Sequence, residues 1–263
     1  MKRLAIVCAL AAACRAAAHD LWIEPSAFRP AVGDRVTAAL RVGQNLAGEP
    51  MPRIPPLVDR FVLGGAPMIG RAGSDPAGIA LVAAPGLQWI GYQSNAFPVT
   101  LDAAKFESYL RDEGLERVIA ERAKKAQSAA PGREQFYRCA KALIDATPHP
   151  ALRATLSPPA GRGTLDEPLG FTLELIPQKA PGRGKLPLTL LFRGKPAANV
   201  LVVAMSKTDP ERAVRARTDA RGRVTLPIAH DGFWLIKAVY MLPAPPGADV
   251  DWESWWASIT FEL

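Results

Sequence analysis

The sequence predicts a mainly β protein, with two β-sandwich regions joined through a small helical insert. Short apolar runs broken by Gly and Pro fill residues 19–101 and again 171–263. Many short strands with tight turns build sandwiches or barrels. Between them, over 102–145, the hydrophobic period lengthens from two to 3.6, the helical value. Residues 146–170, "TPHPALRATLSPPAGRGTLDEPLG" after Ala146, are rich in Pro and Gly, lack any period and read as a linker.

The first eighteen residues stand apart. Lys2 and Arg3 precede an apolar run over residues 4–14, and Arg15 is followed by three alanines. A basic start, a short apolar core and small residues make a secretory signal peptide, and the run is too short to span a bilayer. Cleavage after Ala18 would leave His19 as residue one of an exported, periplasmic chain. Lipidation at Cys14 is an alternative. Processing takes away Lys2, Arg3 and Arg15, lowering the formal charge from +7 to about +4. No dense basic block remains, so nucleic acid is not an expected partner. Cys8 and Cys14 leave with the signal, so Cys139 is the one cysteine of the processed chain. No other run is apolar and long enough to span a membrane.

In the first β region, strands are expected at "RVTAALRVG" (35–43), "RFVLGG" (60–65), "GIALVAA" (78–84) and "LQWIGYQS" (87–94), with turns at "PAVGD", "GSDPAG" and "APG" between them. Asp102 is placed to cap the first helix of the insert. Phe106, Tyr109 and Leu110 share one of its faces, and Gly114 breaks it. Val118, Ile119 and Arg122 mark a second helix. A third is expected after "SAAPG", with Phe136, Cys139, Ala140 and Leu143 on one side and Cys139 buried there.

About six strands are expected from Phe171 onward. Thr218, Asp219 and Gly222 form a tight turn, and Asp231-Gly232 between alternating runs signals a hairpin. This stretch is similar to the prealbumin-like sandwiches of carboxypeptidase regulatory domains and bacterial surface repeats. The fold expectation is therefore Ig-like or prealbumin-like in both regions. There is also an internal echo: "GDRVTAALRVGQNLAGEP" and "GKLPLTLLFRGKPAANVL" both run Gly, strand, Gly, then a turn with Pro.

Motifs for hydrolysis, nucleotide binding and cysteine-based zinc binding are absent. Only His19, His149 and His230 offer imidazoles. At a free N-terminus, the amine and Nδ1 of His19 close a chelate ring suited to Cu(II) or Ni(II). Otherwise His19 is an exposed terminal residue. Asp20 and Glu24 offer oxygen donors nearby. His230, beside Asp231, is either a loop-borne ligand or a solvated turn residue, and His149 between prolines reads as linker. Trp252, Trp255 and Trp256 serve as core packing or, alternatively, as a carbohydrate platform.

"AHDLWIEP", "KFESYLRDEGLE", "QFYRCAKALI", "RTDARGRVTLP", "GFWLIKAVYM" and "DWESWWASITFE" together resemble the DUF4198 family of exported bacterial proteins, once grouped with periplasmic components of nickel and cobalt uptake. The resemblance implies a two-part, β-rich protein handling a divalent transition metal, with His19 in the family pattern. It also implies a membrane metal-uptake transporter as partner. The family often has a histidine where this chain has Tyr240. The resemblance thus points to His19 and the Tyr240 position, and with Asp20 and His230 from the reading of donor residues the expected metal ligands are His19, Asp20, Tyr240 and His230, for copper, nickel or cobalt. The other readings are a non-catalytic adhesion or scaffold module that binds protein or glycan, and a copper oxidase-like enzyme.

Overall fold

The computed structural model describes residues 19–148 and 165–263. The expected signal, Cys14, His149 and most of the expected linker lie outside the described residues. In chain order the strands begin with β1 (Asp20–Pro25), β2 (Arg35–Gln44), β3 (Ala47–Met51), β4 (Val58–Leu63), β5 (Ala66–Pro67), β6 (Gly78–Leu81), β7 (Gly86–Ser94) and β8 (Phe97–Leu101). Helices α1 (Ala103–Asp112) and α2 (Glu116–Lys124) follow, and then β9 (Gly132–Ala146). The later strands are β10 (Leu173–Pro177), β11 (Gly184–Phe192), β12 (Lys195–Pro196), β13 (Leu201–Ser206), β14 (Val214–Arg217), β15 (Arg223–Ile228), β16 (Phe233–Pro243) and β17 (Trp252–Glu262).

The fold is mainly β, in layers. A nine-stranded sheet runs β14-β13-β16-β17-β9-β7-β4-β5, with β8 also on β9. Cys139, Leu143, Trp255 and Ile259 pack on one of its faces against β10, β11 and β15. Ala140, Ala142, Ile144 and Ile90 pack on the other face against β1, β2 and β6. Further along that second face, Phe106, Tyr109, Leu110 and Val118 of the helices cover Phe136, Val239, Met241 and Trp256. The two sandwich regions therefore share a continuous central sheet.

The internal echo is visible as topology. One outer sheet is ordered β1-β2-β3 with β6 on β2, and the other β10-β11-β12 with β15 on β11. Their central-sheet halves, β5-β4-β7-β9 and β14-β13-β16-β17, repeat the same order. The two last strands, β9 and β17, pair in parallel from Trp252↔Glu134 onward. A two-fold relation about an axis along these strands accounts for both the parallel pairing and the outer sheets on opposite faces.

Two expectations are corrected. The segment expected as a third helix is β9, the strand at the join. It is buried on both faces, so its apolar residues show no alternation, and Phe136, Cys139, Ala140 and Leu143 also fit a helical period. The helical part of 102–145 is thus its first half. There Asp102 caps α1, accepting the Lys105 N–H at 2.9 Å, and Gly114, at φ 65°, turns the chain into α2. Cys139 is buried and unpaired, but on a strand, and burial pushes its thiol up to about 12.

The Asp231-Gly232 turn is not a hairpin. β15 pairs with β11, while β16 pairs with β13 and β17. The turn carries the chain from one layer to the other. A turn dipeptide encodes a reversal of the chain, whereas the identity of the paired strand depends on the burial of both.

Candidate functional site

Residues 19 and 20 are held in the fold by two cations, the buried Arg138 and the largely buried Lys237. Arg138 on β9, 4% exposed, donates from Nη1 to the His19 carbonyl at 2.6 Å. Lys237 on β16 donates from Nζ to Asp20 and to Glu113, each at 2.7 Å. Burial alone would lower Lys237, but the carboxylates of Asp20 and Glu113 outweigh it and hold the ammonium above its ordinary value. Glu113 is pushed up to about 7 by burial, with Lys237 opposing. These pairs fix the start of β1 onto the central sheet beside the helices. Further along, Ser258 and Thr260 of β17 donate their hydroxyls to the carbonyls of Leu21 and Ile23 at 2.8 and 2.7 Å.

Beside this anchor opens a cavity of about 950 Å³. It lies between the β2–β3 hairpin, the 52–57 loop and the ends of β7, β8 and β9. Most of its wall is apolar, including Leu21, Val42, Met51, Ile54, Phe97 and Phe136. Its polar end carries His19, Arg138 and Ser94, whose Oγ accepts the Arg138 N–H at 2.9 Å. The His19 Nδ1 is enclosed and, among the described residues, has no hydrogen-bond partner. Such an orphan atom carries a desolvation cost that a ligand would relieve. Gly48 permits the close wall: a Cβ there would run into the Trp22 indole.

The equivalent place in the second half is filled. The last hairpin pair is Gln44↔Ala47 in one half and Phe192↔Lys195 in the other, so Phe192 stands where Gln44 does. Its ring packs 4.7 Å from both Tyr240 and Trp255, and Tyr137 stacks on Trp255 at 5.5 Å. A separate pocket of about 170 Å³ lies beside the β11–β12 hairpin, lined by Glu174, Phe171 and Arg193 among others.

The expected metal ligands are not brought together. His19 lines the cavity, but Asp20 is committed to Lys237. Tyr240 belongs to the opposite face of the central sheet, packed on Phe192, because it alternates with Lys237 and Val239 along β16. His230 lies before the start of β16, its ring 5.0 Å from that of Trp234. Its Nε2 is 3.2 Å from Ser206 Oγ and its Nδ1 2.7 Å from the Asp231 carbonyl oxygen. Among the described residues no three of His, Cys, Asp and Glu are grouped to hold a metal ion. The tryptophans Trp252, Trp255 and Trp256 are all buried, which removes them as a carbohydrate platform.

The buried charges went unforeseen. Lys141 in "CAKALI", Glu174 in "LELIP" and Lys237 in "LIKAVY" each interrupt an apolar strand, and that interruption was the available signal. Glu134, fully buried on β9, accepts from Tyr109 at 3.1 Å and from the Ser254 hydroxyl, and burial pushes it up to about 7.

A layered β protein with a cavity of small-ligand size at the start of its first strand is the class that this fold and site define. The chain belongs to the DUF4198 family, described as a domain of unknown function, which it matches over residues 16–242. No curated protein matches it. Among solved structures it is similar to the D0-D1 domain of intimin, at 12% identity and a TM-score of 0.21, over 93% of this chain and 98% of that one. Among the described residues no helix is long and apolar enough to cross a membrane.

Proposed function

We propose that the protein is an exported, periplasmic binding protein that carries a divalent transition metal on His19 as the first residue of the processed chain, in support of metal uptake through a membrane transporter. The observation that carries this reading is the enclosed, unpartnered His19 Nδ1 on the cavity wall. The His19 carbonyl and the Asp20 carboxylate are held elsewhere, so the ring and a free amine are the donors left at this end of the chain. Together they make a two-nitrogen chelate for copper, nickel or cobalt. The metal is cargo, and His19 supplies part of its coordination.

Calorimetry on the exported chain, shown by mass spectrometry to begin at His19, tests the reading. Cu(II) should bind more tightly than Ni(II). His19→Ala keeps the amine and loses the ring nitrogen. One Gly inserted before His19 keeps the ring and moves the amine out of the chelate. Each change should weaken Cu(II) binding by about tenfold or more. Affinity should also fall as pH drops, because protons compete for the same lone pairs. Equal binding by all three proteins, or binding by none, would overturn the reading.

A further inference from the structure

We propose that the cavity receives the metal already bound to an organic chelator, a bidentate molecule with nitrogen or oxygen donors and a flat apolar body. This rests on the metal-binding reading of His19. Two independent observations lead to it.

The first is coordination. Cu(II) and Ni(II) favour tetragonal nitrogen and oxygen sites. His19 supplies two nitrogens, and no grouping of three His, Cys, Asp and Glu exists among the described residues. A bidentate chelator brings the donors that the chain lacks. On binding, the amine gives its proton to solvent, and it and Nδ1 take the places of two waters on the chelated ion.

The second is volume and chemistry. About 950 Å³ is far more than a single ion needs and falls in the range of sites for organic ligands. Val42, Met51, Ile54, Leu57 and Phe97 make most of that wall apolar, and although Glu49 and Arg138 also line it, the apolar part offers a hydrated ion nothing in exchange for its water. The duplicated half shows what fills such a place when the chain does so itself. There Phe192, the counterpart of Gln44, lies against Tyr240 and Trp255. In the first half the corresponding volume is left open to a planar apolar group from outside.

A matched pair of copper complexes tests the proposal on the chain beginning at His19. Quinoline-2-carboxylate and glycinate both chelate through one nitrogen and one carboxylate oxygen, but only the first carries an aromatic body. The one-to-one Cu(II)–quinoline-2-carboxylate complex should bind at least about tenfold more tightly than Cu(II)–glycinate. Gln44→Phe, which places at residue 44 the ring that Phe192 supplies in the other half, should erase that preference and leave Cu(II)–glycinate binding unchanged. Ile54→Ser should reduce the preference without affecting glycinate. Equal affinities for the two complexes, or an undiminished preference in both variants, would overturn the chelator proposal while the metal reading stands. Quinoline-2-carboxylate binding as tightly without copper as with it would also overturn the proposal. If His19→Ala bound both complexes as the native chain does, the metal reading itself would fall.

Discussion

Replacing Glu174 with Ala should destabilise the protein about twice as much as replacing Lys141 with Met, although the two form one ion pair. Their charged atoms are 2.9 Å apart, and their side chains are 2% and 1% exposed. At an effective dielectric of 20 such charges attract by about 6 kcal/mol. Most of that only offsets the cost of taking both out of water. Burial lowers Lys141 from its ordinary value, with Glu174 opposing. The partners differ in what else holds them. Glu174 also accepts the backbone N–H groups of Leu169, Gly170 and Phe171, at 2.8, 2.9 and 3.0 Å. Lys141 has, besides Glu174, the face of the Trp89 ring at 4.4 Å. Lys141→Met leaves a carboxylate with three charge-assisted bonds and sets an apolar side chain against Trp89, for a loss of about 2 kcal/mol. Glu174→Ala leaves a buried ammonium without a counter-ion and three N–H groups without an acceptor, for a loss of about 4 kcal/mol or more. At about 2–4 °C per kcal/mol for a chain of this size, calorimetry should read melting shifts of roughly 6 and 12 °C. Equal losses would refute the reasoning, by showing that the ion pair alone, and not the cradle of N–H groups, holds the entry to β10.

Two further predictions concern the buried Glu134 of β9 and the anchor of the first strand. Burial pushes Glu134 up to about 7 from its ordinary value of 4.5, so the folded protein binds more protons than the unfolded chain between those values. Its contribution is complete below pH 4.5 and is lost as pH rises through 7, a fall of about 3 kcal/mol. Glu134→Gln should flatten that slope, as read from urea midpoints at pH 5 and pH 8. A mutant slope as steep as the native one would assign it to other groups. Lys237→Met should strand Asp20 and Glu113 without their shared ammonium, costing about 3–5 kcal/mol. Amide hydrogen exchange should then rise first in β1, and unchanged protection there would show that the Arg138 bond to His19 and the β1–β2 pairing suffice.

The filled and open halves bear on the two tests of the site. Because both halves repeat one strand order, the second half is an internal control for the first. At the hairpin end, one half carries Gln44 and the other Phe192, and this difference marks the place that is plugged and the place that is open. Gly48 against Trp22 sets how closely the hairpin approaches β1, so a larger residue there would move the cavity wall.

By itself the sequence determined the strand-rich character, most strand positions, the two helices at Asp102 and beyond Gly114, and His19 as the residue to watch. Those features are local: alternation, turn residues, caps and a glycine at positive φ act within a few residues of chain. Repetition was also visible, as the echo between the stretches that became β2–β3 and β11–β12. The tertiary structure alone decided which strands pair. β9 sits at the join of two halves with both faces covered, and a strand buried twice loses the alternation that identifies it. The Asp231-Gly232 turn links layers because β15 finds β11 and β16 finds β13 and β17, partners distant in the chain. The site followed the same division. Tyr240 and His19 were joined by resemblance alone, but a strand sends alternate side chains to opposite faces, and Tyr240 alternates with the lysine that holds Asp20. The cavity is bounded by residues from 19 to 138, so no local pattern could mark it. At its hairpin edge the first half has Gln44 where the second packs the ring of Phe192, a comparison that has meaning only once the two halves are matched in register.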